Sequence, residues 1–330
     1  MNVAASTPAG YVVRAMTRAD WPLVQAGFAH SFLGCHTPET WTWKFRIDNP
    51  QAWRGWVACH PMDGIIAFLG ACAQRALLNG TEVTVLHGSD SFSHPQWRHG
   101  GKHSPYVQME TAFHAHQQDF GAMCIGFGLD RRMKLGFMTE NLQPFEGGHW
   151  LQSPVESGSV HSGGSVQLTL THFEHPEWTA LWARRSQSIH WSLIRDQSFL
   201  AWRFDPRQGH AYHRFALRSA TESVPLGYMV IRCISTTQAV LMDCILPKQP
   251  QQARDAWGQL VHWLGRQGIT HIMTYLANAC PEQQVLRRLG WASCPSPLPV
   301  LPGFALYGSL FSAKDINQYY AMTLADTDLY

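Results

Sequence analysis

Charge is scarce in this chain. Of its 330 residues only 15% are charged, and 25 basic against 23 acidic side chains leave a formal net charge of +2. That balance offers no cationic surface for nucleic acid, and no basic tract marks a membrane-binding segment. No run approaches the ~18 consecutive apolar residues of a membrane-spanning helix. The start, Met1–Gly10, lacks a basic stretch leading into an apolar one, so no signal peptide is expected. The eight cysteines include no C-x-x-C pair. Their scatter argues for free thiols in a reducing cytoplasm rather than a disulfide framework. Also missing are G-x-S-x-G, a P-loop lysine and a dinucleotide fingerprint, which weakens hydrolase, kinase and dehydrogenase readings. His172-x-x-His175 and His210-x-x-His213 have zinc-like spacing but no nearby third ligand. His114 and His116 are two apart and do not share a helix face, so no metal is expected.

What is abundant is apolar and aromatic: 45% hydrophobic residues, 12% aromatic, 14 of them tryptophan. A chain of this length and composition builds large cores, most naturally in two domains. The chain also repeats itself. YVVRAMTRADW near the start is echoed by VQLTLTHFEHPEW, and Trp43-Lys44-Phe45 by Trp202-Arg203-Phe204. Strand-like runs end at Asp90 and Asp243, and closing turns read Leu135-Gly136-Phe137 and Leu289-Gly290-Trp291. The offsets between pairs run from 147 to 159 residues, which points to a duplicated α/β unit. Met109, Ala112, Phe113 and His116 share a helical face in the first half, as Ala253, Trp257, Leu260 and Leu264 do in the second. The Gly- and Ser-rich stretch EGGHWLQSPVESGSVHSGGS reads as a linker, so the boundary is expected near residue 160, with units 1–160 and 161–330. Trp43 and Trp202 are expected in the cores.

Residues 90–127 carry the chemistry. A strand runs into His94-Pro95, then a glycine-containing turn, then a helix. Ser104 followed by Pro105 is N-terminal capping chemistry. Gly100 and Gly101 permit turn conformations that a Cβ hinders. The product is a run of free N–H groups at the positive end of a helix, a site for pyrophosphate. The second half has no such turn: CILPKQPQQARDAW contains no glycine, and Pro247 and Pro250 remove donors.

Strand, His-Pro, aromatic-Arg-x-x-Gly-x-x-Ser, amphipathic helix, strand, then a helix closing in Leu-Gly-Phe resembles the GNAT acyltransferase superfamily. Trp-Lys/Arg-Phe before Pro, Leu193-Ile-Arg-Asp196 and the closing Tyr-Tyr-x-Met-Thr resemble tandem GNAT proteins linked to bacterial polysaccharide synthesis. Arg98 and Gly101 match the first anchors of the family's pyrophosphate loop, while His103 stands where a small residue is usual.

The resemblance implies an α/β (α+β) fold of two tandem units, each a mixed, mostly antiparallel sheet flanked by helices. It implies an acyl-CoA donor, most simply acetyl-CoA, held by Ser93, Arg98, His99, Gly100, Gly101, Lys102, His103 and Ser104. The acceptor implied is a primary amine, with an amino sugar the first candidate. A base is sought in His87 or Asp90, and the oxyanion donor in the Phe92 backbone N–H. The family's usual acid is a tyrosine before the Leu-Gly-aromatic turn, where this chain has Arg132, leaving Tyr106 as a substitute. The second half is then a structural partner. The contrasting expectation is a catalytically silent binding or scaffold protein.

Overall fold

The computed structural model describes residues 5–6, 10–32, 37–139, 141–156, 164–206, 209–219, 224–309 and 311–327. Its strands, in chain order, are β1 (Ala5–Ser6), β2 (Val12–Ala15), β3 (Trp53–His60), β4 (Gly64–Leu78), β5 (Thr81–Ser93) and β6 (Met123–Leu129). There follow β7 (Gln143–Pro144), β8 (Gly148–Pro154), β9 (Gln167–Leu170), β10 (Trp191–Leu193) and β11 (Tyr212–Arg218). The last are β12 (Gly227–Cys233), β13 (Gln238–Ile245), β14 (His271–Ala277), β15 (Ala292–Ser293) and β16 (Val300–Leu306). The helices are α1 (Trp21–Ser31), α2 (Pro38–Phe45), α3 (Pro105–Ala115), α4 (Asp130–Met138) and α5 (Glu177–Ser186). They continue with α6 (Gln197–Arg203), α7 (Pro250–Arg266), α8 (Pro281–Arg288) and α9 (Ala313–Tyr319). Among the described residues no helix is long and apolar enough to cross a membrane.

The chain forms two compact units, neither contiguous in sequence. Residues 1–75, 83–145 and 299–313 form the first; 76–82, 146–298 and 314–330 form the second. The expected boundary near residue 160 lies outside the described residues. The supposed linker is in part β8, which pairs antiparallel with β14 along Gly148–Pro154. Trp150, Leu151 and Ser153 are buried there, so the glycines and serines hid a strand.

In the first unit the strand order is β1-β2-β3-β4-β5-β6-β16-β7. All the pairings for which a register is known are antiparallel except β5 with β6, which is parallel. β4 turns into β5 through Asn79-Gly80, both left-handed at φ 49° and 82°, the two-residue hairpin chemistry this dipeptide favours. One face of the sheet packs Leu69, Ala71 and Leu86 with Tyr106, Met109 and Phe113 of α3. The other packs Phe68 and Phe92 with Trp21, Trp41 and Phe45 of α1 and α2.

The second unit repeats the pattern in the order β15-β8-β14-β13-β12-β11-β9, with β13 and β14 the parallel pair. Here β10 also pairs with residues 76–78. The sequence landmarks are cores of a specific kind. Trp43 and Trp202 are half-buried, while Lys44, Phe45, Arg203 and Phe204 are buried. The repeated motif keeps a buried cation beside a buried phenylalanine.

Candidate active site

The register of β5 and β6 creates the site. They pair only at Leu86↔Cys124 and His87↔Ile125, and beyond that the strands diverge. The alternation of β5 also breaks there. Leu86 packs on the α3 face, whereas Phe92, six residues on, packs on the opposite face. Strict alternation would put Leu86 and Phe92 on the same face, so an irregularity lies between them, as at a bulge. Glycines permit it: a Cβ on Gly126 would stand 2.7 Å from the Gly88 carbonyl oxygen.

Between the diverging strands is a small cleft of about 80 Å³. Gly88, Ser89 and Ser91 of β5 line one wall, and residues 124–128 of β6 line the other. His114 of α3 and Arg132 of α4 close it. These last two belong to a buried polar network. Arg132 Nε donates to Tyr106 Oη at 2.7 Å, and its guanidinium is paired with Glu110, which is fully buried. His114 Nδ1 lies 2.7 Å from Tyr307 Oη on β16's C-terminal extension.

Burial governs the titration of this network. It raises the Glu110 and Tyr106 pKa values against the opposing influence of Arg132. It also works against the Arg132 charge, yet Tyr106 and Glu110 hold that pKa above its ordinary value. His114 is lowered to about 3, by burial first and by Arg132 second, and so is neutral. Burial pushes the Cys124 thiol up to about 12, which leaves it a packed thiol and a poor nucleophile.

β5, which supplies one wall of the cleft, runs on to the turn before α3. Gly100 and Gly101 are both left-handed, at φ 98° and 54°, and a Cβ on Gly101 would meet nothing within 4 Å. Amides of Trp97, Arg98, His103 and Ser104 bond within the turn. Those of His99, Gly100, Gly101 and Lys102 make no hydrogen bond among the described residues. Ser104 caps α3, its hydroxyl accepting from the Val107 amide at 3.3 Å. Arg98 stabilises the turn from within: its Nε donates to the Ser93 carbonyl at 2.8 Å and Nη2 to the Ser31 carbonyl at 3.2 Å. The equivalent helix α7 begins at Pro250, as α3 begins at Pro105, but the stretch before it carries Pro247 and no glycine, and a prolyl nitrogen has no proton to donate.

The residues expected in the site divide into two sets. The turn from Arg98 to Ser104 assembles at the helix mouth, and Tyr106 joins the network. Three strand residues stand apart from the cleft lining. Asp90 is ion-paired with Lys44 at 2.8 Å, Phe92 is packed in the aromatic core, and His87 is buried at the last paired position of β5. Ser91, Glu110, His114, Arg132 and Tyr307 were not anticipated as a group. Tyr106, Glu110 and His114 follow at four-residue intervals on one helix face, a stripe visible in the sequence. Tyr307 comes from a strand about 190 residues away and left no local signal. Among the described residues no three His, Cys, Asp or Glu side chains are grouped to hold a metal ion.

No family model matches the chain, and no curated protein matches it in sequence. Solved structures do. A GCN5-related N-acetyltransferase from Anabaena variabilis aligns with TM-score 0.67 at 10% identity, over 90% of this chain and 73% of its own. A probable N-acyltransferase of unknown function from Enterococcus faecalis gives 0.65 at 11% identity, over 90% and 72%. A tandem GNAT protein from the clavulanic acid biosynthesis pathway gives 0.52 at 13%, over 94% and 98%. The fold is thus that of a tandem GNAT protein: two mixed sheets, each flanked by helices.

Proposed function

We propose that the chain is an acyl-CoA-dependent N-acyltransferase whose first unit binds the donor. The observation that carries this reading is the set of four unpaired amides at the mouth of the helix that follows β5, the strand whose Gly88, Ser89 and Ser91 line the cleft. The amides of His99 to Lys102, at the positive end of α3, suit a pyrophosphate, and the left-handed glycines keep side chains out of its way. The cleft then receives the thioester. Backbone N–H groups of the diverging part of β5 stabilise the oxyanion, and a primary amine attacks from the open side. Acetyl is the acyl group to test first, and amino sugars are the first acceptors. The second unit, with Pro247 and no glycine ahead of α7, serves as a structural partner without a donor site.

Arg132 favours a second reading. It occupies the place of the family's acid and bonds across to α3, as a silent binding protein would tolerate. One experiment separates the two. Acetyl-CoA should raise the melting temperature, since a ligand specific for the folded state stabilises it. Gly101→Glu should abolish the shift without loss of fold, checked by circular dichroism. Thiol release across a panel of amines and amino sugars then identifies an enzyme; a thermal shift with no release identifies a binding protein. No thermal shift at all overturns both.

A further inference from the structure

In the second unit the sheet opens as it does in the first, but the opening is filled by the chain itself. β13 and β14 pair in parallel only at Gln238↔His271, Ala239↔Ile272 and Val240↔Met273. Beyond that point residues 320–326, which belong to the same unit, touch both strands. On the β14 side Thr323 forms an antiparallel bridge with Leu276, and the Ala277 amide donates to the Met322 carbonyl at 2.9 Å. On the β13 side Thr323 Oγ1 donates to Asp243 Oδ1 at 2.9 Å. Arg195 clamps the two together, with Nε 3.1 Å from Asp243 Oδ2 and Nη2 2.7 Å from Asp326 Oδ2. Asp326 accepts in turn from the Thr323 amide at 3.0 Å, which closes the segment into a single turn over Leu324–Asp326. Every residue from Tyr320 to Thr327 is buried.

Strands that part leave backbone N–H and C=O groups facing a gap too wide for a ladder, and buried groups of that kind need partners. In the first unit the gap is the cleft, lined by Ser89 and Ser91 on either side of Asp90, three residues past the last paired position of β5. In the second, Asp243 stands three residues past the last paired position of β13, and there Thr323 meets it. We infer that residues 320–326 are a resident occupant of the second unit, bound in cis as an added strand where the first unit receives its donor, so that the chain takes up one acyl-CoA and only in its first unit. The stoichiometry rests on the acyl-CoA reading; the occupancy does not. Loss of amides ahead of α7 and occupation by the segment predict different things. Restoring a glycine to that turn does not restore a second site, because the donor would still meet Met322 and Thr323.

Hydrogen exchange on the full-length protein tests the occupancy directly. The Ala277 and Thr323 amides should exchange as slowly as those of residues 229–231 in the middle of β12, and exchange at the rate of an open loop overturns the inference. Cys280 gives a second reading, because its buried Sγ donates to the Met322 carbonyl at 3.2 Å and the segment covers it. Thr323→Val removes the hydroxyl that joins Asp243, Arg195 and the Ala325 amide while keeping the shape of the side chain. It should speed labelling of Cys280 by a thiol reagent about tenfold, with circular dichroism and exchange in β12 unchanged. Equal labelling in parent and variant, or labelling that rises only together with exchange in β12, overturns the inference. Calorimetry should count one coenzyme A per chain, in the parent and in Pro247→Gly alike; a second molecule in either overturns it too. A parent that binds no coenzyme A overturns the acyl-CoA reading instead, and exchange at Ala277 and Thr323 still decides the occupancy.

Discussion

Lys44 Nζ lies 2.8 Å from Asp90 Oδ2, and the two side chains are only 8% and 10% exposed. A cation and an anion taken out of water together compensate each other, and removing one strands the other. The pair joins α2 to β5 just beyond the point where β5 leaves β6. In the second unit Asp243, the positional twin of Asp90, is likewise held by a cation, Arg195 Nε at 3.1 Å from Oδ2. A twin with the same bonding beside a helix start that lacks the glycine turn marks Asp90 as structural. Asp90→Asn should therefore cost about 3 kcal/mol in urea unfolding, with the folded fraction still binding acetyl-CoA and releasing thiol. Parent-like stability combined with lost thiol release would return Asp90 to the role of base.

His114 makes acid stability a reporter of the cleft. Its folded pKa, about 3, lies below the ordinary 6.5 because burial and then Arg132 disfavour the imidazolium. The folded state therefore binds fewer protons than the unfolded chain between those values. The contribution is fully present above pH 6.5 and is lost as pH falls from there towards 3. His114→Gln, which retains a hydrogen-bonding partner for Tyr307, should flatten the stability profile over that interval. Chemical denaturation at a series of pH values measures it, and an unchanged slope would mean that His114 is solvated and charged.

Legibility differed between fold and site for a physical reason. The duplication was visible because landmarks such as Asp90 and Asp243 each stand near the end of a strand and meet a cation, a local demand that recurs wherever the unit recurs. The turn from Arg98 to Ser104 was visible because left-handed backbone and helix capping select glycine and serine at fixed neighbouring positions. The cleft lining was hidden. An irregularity in β5 exchanges the faces of successive residues, so alternation counted from Leu86 misplaces the residues that follow, as Phe92 shows. Closure by Tyr307 depends on β16 lying next to β6, a pairing that no spacing within the first half encodes. β8 was missed because Gly148 and Ser153 resemble loop composition, and the adjacent Trp150 and Leu151 are both buried, so no apolar–polar alternation marks the strand.

The Glu110–Arg132 pair should be costly to break from the carboxylate side. Glu110 is fully buried, and without it the guanidinium keeps only its bond to Tyr106 among its described partners. Glu110→Ala should lose about 3–5 kcal/mol, whereas Glu110→Gln keeps an acceptor in place and should lose less. The expected order of urea midpoints is parent, then Gln, then Ala. An alanine variant as stable as the parent would show that water reaches the guanidinium.

Gly126 tests the cleft by sterics alone. Its φ is not in the left-handed region, so alanine there meets no conformational penalty of that kind. The new methyl would nevertheless stand 2.7 Å from the Gly88 carbonyl oxygen, a backbone atom that no side-chain rotation can move aside. The strands must then part further at the very point where β5 and β6 cease to pair. Overpacking of this kind costs about 1–3 kcal/mol, and a displaced Gly88 also misaims the N–H groups that follow it along β5. Gly126→Ala should thus lower the melting temperature and weaken acetyl-CoA binding together, both read in one thermal-shift titration. Lowered stability with undiminished affinity for acetyl-CoA would place the donor somewhere other than between these two strands.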